Sequence, residues 1–309
     1  MQQARLSPLF GVSISPATDS VSEAFERARL ADQLGLDLIT SMDHPYNARL
    51  VDTWTLLTAL ATVTRRVHVA TNVANLPLRP PAMLAKQAAT LDVLSGGRVV
   101  LGLGAGAYWQ GIRAMGGPIR SGSEAYRAFR DALYIIRGMW ENAGGSFSYE
   151  GDVYQVRGVR PGPAPAHRIP IWVGASGPSM LRLTGRMADG VIVSNTYHPP
   201  EHLLEINRLI DEGAAVASRQ PGEIRRAYNI MGSIALTPAM QASQTEEGLH
   251  GSVWFWIDEL TRLYEMYGQD VFIFWPTGEN PHAQIQAFAN EVVPAVRRQV
   301  SSPHRMGAE

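Results

Sequence analysis

"RRVHVATNVANLPLRPPAMLAKQAATLDVLSGGRVVLGLGAG" (65–106) carries one complete turn of the pattern that decides the fold. Its opening, "RRVHVATNV", is rich in β-branched side chains and reads as a strand. "PPAMLAKQAATLDVLSGG" then begins on prolines and ends on glycines, the polarity expected of a helix. "RVVLGLGAG" returns to an apolar strand. Strands that run apolar without alternation, joined by a helix, describe parallel strands covered on both faces.

The same unit repeats on either side. Upstream, "LFGVSI" (9–14) is a short strand, and "DSVSEAFERARLADQLG" (19–35) sets Val21, Ala24, Phe25, Ala28, Ala31 and Leu34 at helical spacing. Ser20 with Glu23 has the pattern of a capping box, and Gly35 is a C-terminal stop. "LDLIT" (36–40) is the second strand and "DTWTLLTALATVT" (52–64) the second helix. Downstream, "YRAFRDALYIIRGMW" (126–140) is the fourth helix. The stretch 146–168 alternates like a hairpin and then turns Pro/Gly-rich, an excursion from the regular order. Order resumes with "IPIWVGA" (169–175), "PSMLRLTGRMA" (178–188), "DGVIVSN" (189–195) and "PPEHLLEINRLIDEGAAVAS" (199–218). "RRAYNIMGSIAL" (225–236) is the seventh strand, followed by a longer, aromatic-rich connection. "VFIFW" (271–275) and "PHAQIQAFANEVVPAVRRQV" (281–300) complete the series. About eight strand–helix units without a linker predict one TIM (β/α)8 barrel over 1–309, with insertions after strand four and strand seven. A doubly wound open sheet is the alternative.

Composition narrows the function classes. The 309 residues are 45% hydrophobic and 18% charged with a net charge of -1, which predicts a soluble globular protein with a large core. Charge without a basic stripe or a like-charge run speaks against nucleic acid or a membrane surface as partner. The absence of cysteine removes disulfides, cysteine nucleophiles and thiolate metal sites, and agrees with a cytoplasmic location. The first residues lack the profile of a signal peptide, and no apolar run reaches spanning length. Scattered histidines give no metal spacing, and no G-x-S-x-G is present.

In a barrel of this kind the chemistry sits at the C-terminal ends of the strands. Asp43 and His44 follow strand two in "ITSMDHPYN" (39–47), which turns a bland acid–histidine pair into a candidate for the reactive rim. "NVAN" (72–75), "GAGAYW" (104–109), "GASGPS" (174–179) and "SNTYH" (194–198) converge on the same end. In "GASGPS", Gly174 and Gly177 permit close backbone approach, and the amides of Ser179 and Met180 open a helix whose positive end suits an anion. An ordinary turn explains this segment as well. The glycines of "GAGAYW" could likewise admit a flat ring or simply let the chain turn. Rim aromatics are Tyr46, Tyr108, Trp109, Tyr197, Trp254, Phe255, Trp256 and Trp275, of which Tyr108 and Trp109 are best placed to face a ligand.

"FERARLADQLGLDLITSMDHPYN" (25–47), "LAKQAATLDVLSGGRVVLGLGAG" (84–106), "IPIWVGASGPSMLRLTGRMADGVIVS" (169–194) and "FANEVVPAVR" (288–297) together resemble the bacterial luciferase-like superfamily of flavin-dependent oxidoreductases, across nearly the whole chain. The resemblance implies a TIM barrel with insertions and either FMN or the deazaflavin coenzyme F420. "DH" and "GASGPSML" are most like the F420 branch, which includes methylenetetrahydromethanopterin reductases and glucose-6-phosphate dehydrogenases. It implies that Asp43 and His44 lie beside the deazaflavin ring, with His44 as the candidate proton donor. It further implies a cis Asn72-Val73 peptide against the ring, with Asn75 nearby. Cofactor contacts would extend to Ala105 and Gly106, and phosphate contacts to Ser176, Gly177, Ser179 and Met180. Tyr46, Tyr108, Trp109 and Tyr197 would border a substrate pocket. A homodimer is also implied. One departure stands out: sugar-phosphate dehydrogenases of this branch carry a glutamate where this chain has Ala107, which disfavours sugar-phosphate oxidation.

The leading expectation is hydride transfer from reduced F420 to an activated C=C, C=N or C=O bond of a small molecule. His44 would protonate the product or steady the ring, and Asp43 would orient His44 or accept a ring hydrogen bond. An FMN-dependent two-component monooxygenase is the alternative, and a non-catalytic flavin-binding barrel the third reading. Substrate choice would lie in 108–125 and 236–256.

Overall fold

A computed structural model describes residues 5–236, 243–245, 248–277 and 279–301, with 243–245 as backbone only. Eight strands form the barrel: β1 (Leu9–Ser13), β2 (Leu38–Ser41), β3 (His68–Thr71), β4 (Val99–Gly104), β5 (Ile171–Gly174), β6 (Gly190–Ser194), β7 (Arg225–Ile234) and β8 (Val271–Pro276). Each pairs in parallel with its successor, and β8 pairs in parallel with β1. The sheet therefore closes, and the open-sheet alternative falls. Eight helices follow the strands: α1 (Val21–Gln33), α2 (Thr53–Val63), α3 (Pro81–Ser95), α4 (Gly122–Glu141), α5 (Pro178–Met187), α6 (Pro200–Val216), α7 (Val253–Tyr267) and α8 (Pro281–Ala287). A π-helical turn, Phe288–Val292, carries α8 into a last helix, Val293–Ser301. Among the described residues no helix is long and apolar enough to cross a membrane.

The apolar strands bury both faces, as their sequences require. Outward residues such as Val99, Leu101 and Leu103 of β4 join the helices in a large core. Inward residues Leu38, Ala70, Val100, Trp172, Ile192 and Ala227 meet Val271 and Ile273 in a second cluster inside the barrel. Above Val100 the inward positions of β4 become Gly102 and Gly104, so side chains stop filling the interior and space opens toward the C-terminal end.

Two local details differ from the sequence pattern. Ser20 ends a short 3-10 turn, its backbone is not extended, and its side chain makes no capping bond, so the capping box does not form. The excursion after the fourth helix is a hairpin of Phe147–Glu150 and Gln155–Val159, as the alternation within 146–168 predicts. Buried Asp131 of α4 fixes its turn by accepting from the amides of Val153 and Tyr154 and the Tyr149 hydroxyl. At the rim after β4 stands a short helix, Trp109–Ala114, which the glycine-rich sequence did not signal. The insertion after β7 adds Gly248–Gly251 beside β7, and the aromatic-rich connection contains α7.

Candidate active site at the C-terminal rim

A cavity of about 810 Å³ opens at the C-terminal ends of the strands, within the size range of small-molecule and cofactor sites. Asp43, His44 and Tyr46 from the β2 loop, and Asn72, Val73 and Asn75 from the β3 loop, line it. So do Ala105 and Gly106 after β4, Ser176, Gly177 and Met180 after β5, and Tyr197 after β6. Three expected residues are not among its walls. Ser179 is exposed in the first turn of α5, Tyr108 is half-exposed beside Tyr46, and Trp109 begins the rim helix.

The β3 loop is shaped by a cis peptide at Asn72-Val73. β3 leaves its register with β4 after Ala70, and Ala74–Asn75 rejoins at Leu103 and Gly104. Between these points the Val73 side chain leans across two strands. A Cβ at Gly104 would lie 2.7 Å from Val73 Cγ2, and one at Gly174 would lie 2.9 Å from the same atom. Gly174 therefore makes room for Val73, a packing role that differs from the anion contact read from "GASGPS". Gly106 has φ +96° and faces Pro77, so this glycine serves the turn. Gly104→Ala should push Val73 into the cavity, lowering stability by about 1–3 kcal/mol and weakening cofactor binding; thermal melts and a cofactor titration check both.

Beneath the loop lies a saturated polar network. Asn72 Nδ2 donates to Asn229 Oδ1 at 2.7 Å, and Asn229 Nδ2 donates back to Asn72 Oδ1 at 3.2 Å. Asn229 also donates to Ser194 Oγ at 3.0 Å and accepts from Trp275 Nε1 at 3.1 Å, which uses every bond its amide can make. Both Asn229 and Trp275 line the cavity. Asn229 escaped the sequence reading, although a lone amide inside "YNIM" was a legible signal.

Asp43 is buried, with its side chain 1% exposed, and its partner is Arg79. Arg79 Nε and one terminal nitrogen each donate to it at 2.7 Å, and the Asn75 amide donates at 2.9 Å. Burial works against the Arg79 charge, but the bonds to Asp43 and Asp52 outweigh it and hold the guanidinium firmly protonated. No hydrogen bond joins Asp43 to His44. Among the described residues the hydrogen-bond partner of His44 is the Tyr46 hydroxyl, 2.6 Å from Nδ1. The expectation that Asp43 orients His44 is thus corrected: Asp43 ties the β2 loop to the β3 loop instead. His44 is open to the cavity yet ringed by protein, and that desolvation lowers its pKa despite the opposing pull of Asp43. Burial thus favours the neutral imidazole.

Gly177 caps α5, among the described residues no side chain satisfies the first-turn amides, and Ser176 Oγ lies 3.0 Å from His198 Nε2. Asn75 Oδ1 is buried with no partner among the described residues. A flat ring bearing an N–H would satisfy that acceptor, and uncapped amides suit a phosphate, so these residues fit a flavin or deazaflavin nucleotide.

Comparison with known proteins agrees with this geometry. Residues 6–269 match the family model of luciferase-like monooxygenases. A 5,10-methylenetetrahydromethanopterin reductase of Methanolobus tindarius is 34% identical over 215 residues, 70% of this chain and 62% of the relative. An F420-dependent glucose-6-phosphate dehydrogenase of Microbacterium testaceum is 30% identical over 221 residues, 70% of this chain and 65% of the relative. The chain thus spans somewhat under two thirds of these relatives' length. A solved F420-dependent secondary alcohol dehydrogenase, in complex with an F420-acetone adduct, superposes with a TM-score of 0.83 at 21% identity. That match covers 94% of this chain and 99% of the other, a likeness of fold.

Proposed function

This chain belongs to the luciferase-like monooxygenase family, and from that premise we propose that it transfers a hydride between coenzyme F420 and a small non-anionic organic substrate, reducing an activated C=C, C=N or C=O bond. The observation that carries this reading is the single cavity shared by His44, the Asn72-Val73 loop and the uncapped start of α5. The names of the related reductase and dehydrogenase support F420 as the carrier. Bound deazaflavin supplies two-electron hydride chemistry. The protein's share is to hold ring and substrate in contact and to present a proton-bearing group beside them. Val73 and Asn75 would hold the ring, Gly177 and Met180 the phosphate end, and His44 would face the reacting atoms. Parallel titrations with F420 and FMN test the carrier. Saturable binding and turnover with F420 alone support the reading; turnover with reduced FMN and oxygen would replace it with the monooxygenase alternative.

The walls favour a substrate without a phosphate or carboxylate. Among the described residues lining the cavity there is no Lys or Arg. The sequence from 236 to 252 contains neither, and Arg113 and Arg120 of the rim segment are not wall residues. A substrate phosphate or carboxylate would be desolvated there without an ion partner. Ala107 places a methyl group where an added base would be needed for sugar oxidation. Glucose 6-phosphate is therefore expected to leave oxidised F420 unchanged in an absorbance assay, whereas neutral enones or ketones oxidise the reduced form.

The pH dependence has a definite sign. His44 titrates below the ordinary 6.5, so it stays neutral on the alkaline side and gains charge only in mild acid. Protonation leaves an N–H donor on the imidazole, so turnover should not fall as pH drops through the His44 titration below 6.5, and any change of rate in that window should vanish from the residual activity of a His44 variant. Because the unfolded chain takes up that proton first, a small part of stability is also lost as pH falls through the same window.

A further inference from the structure

We infer that Tyr46 is a positioning residue: its hydroxyl donates to His44 Nδ1 and so fixes the imidazole as the Nε2–H tautomer, leaving one N–H donor free at the cavity. The contact is 2.6 Å, and no partner for Nε2 exists among the described residues. Between a phenol and a neutral imidazole the direction of this bond is set by chemistry. The phenol is the stronger acid and the imidazole nitrogen the stronger acceptor, so the hydroxyl gives and Nδ1 receives. Desolvation, then Asp43, then Tyr108 push the Tyr46 hydroxyl above its usual range, which keeps its proton in place.

The pair is also clamped. The rings of Tyr46 and Tyr108 meet edge to face at 5.2 Å. A Cβ at Gly111 would lie 2.5 Å from Tyr108 and 2.7 Å from Tyr46, so the rim helix presses its backbone directly onto both rings. Gly111 thus gains a reason to stand within a helix. The charged and titratable groups around His44 are few. Asp43 precedes it with its carboxylate held by Arg79, and Tyr46 follows it with Tyr108 behind. None of them except Tyr46 hydrogen-bonds the imidazole.

The functional consequence rests on the F420 reading. A fixed Nε2–H is a donor and not a base, so His44 would steady the substrate oxygen or nitrogen that gains electron density in the reduction, with the balancing proton taken from solvent. The test itself needs no cofactor. Long-range 1H–15N spectra of the full chain, with the His44 signal assigned by its loss in His44→Gln, should show Nε2–H in the unaltered protein. Tyr46→Phe should give a mixture of tautomers and raise the His44 pKa, because a hydroxyl that donates to Nδ1 favours the neutral ring. With F420 bound, kcat should fall about 3–10-fold with KM little changed, the size expected for one hydrogen bond. An Nδ1–H tautomer in the unaltered protein overturns the inference even if Tyr46→Phe fails to fold. An unchanged tautomer and pKa in Tyr46→Phe overturns it too. Failure of F420 binding would instead remove the cofactor reading and leave the tautomer result standing.

Discussion

Replacing His44 by alanine is expected to lower turnover by about 10²–10⁴-fold while cofactor binding stays within a few-fold of the unaltered protein. His44 makes its hydrogen bond to Tyr46 and to nothing deeper, so the side chain can be removed without opening the core. The cavity walls behind it are held by other contacts: the Asn72–Asn229 amide pair, Val73 against Gly104 and Gly174, and the Asp43–Arg79 ion pair. Loss should therefore appear in kcat, with an unchanged melting temperature. Steady-state rates beside a binding titration separate the two quantities. A His44→Ala protein that binds F420 and turns over normally would show that this side chain does no chemistry.

Arg79→Ala is expected to cost about 3–5 kcal/mol of stability, the largest effect of any single substitution near the site. The Asp43 side chain is 1% exposed, and in this variant its charge would keep only the Asn75 amide and lose two hydrogen bonds from Arg79. A buried carboxylate cannot recover that loss from water. Asp52, freed of the same guanidinium, is 45% exposed and still caps α2 through the Thr55 amide, so it adds little. Adding Asp43→Asn to the Arg79→Ala protein should restore part of the stability, since the stranded charge is gone. Chemical denaturation of the three proteins checks the order. If Arg79→Ala alone melts within about 1 kcal/mol of the unaltered chain, the pair is a surface-like contact and Asp43 is not the tie between the two loops.

Much of the fold was legible because barrel strands and helices are written in short-range patterns. "VVLGLG" is apolar on both faces, "PPAMLAKQAATLDVLSGG" carries its own start and stop, and each recurs in series. The elements that escaped are those whose local pattern is weak. The rim helix Trp109–Ala114 is six residues long with a glycine inside it, and its Gly111 packs on Tyr46 and Tyr108, contacts that no local spacing records. Ser20 and Glu23 matched a capping pattern, but the 3-10 turn before α1 turns Ser20 out of the required geometry.

The site divides in the same way. The order of the chain placed Asp43, His44 and the loops after β3 to β6 at one end of the barrel, because parallel strands joined by helices all end there. What each residue does there was decided by partners far off in sequence. Asp43 and Arg79 are 36 positions apart, and Asn72 and Asn229 are 157 apart. No local spacing records such a pair. An acid beside a histidine looked like a catalytic couple, yet the folded chain gives the acid to an arginine and the histidine to a tyrosine. The sequence determined where the chemistry-bearing residues gather; only the closed barrel decided which of them touch, since those contacts form between strands that no short window contains.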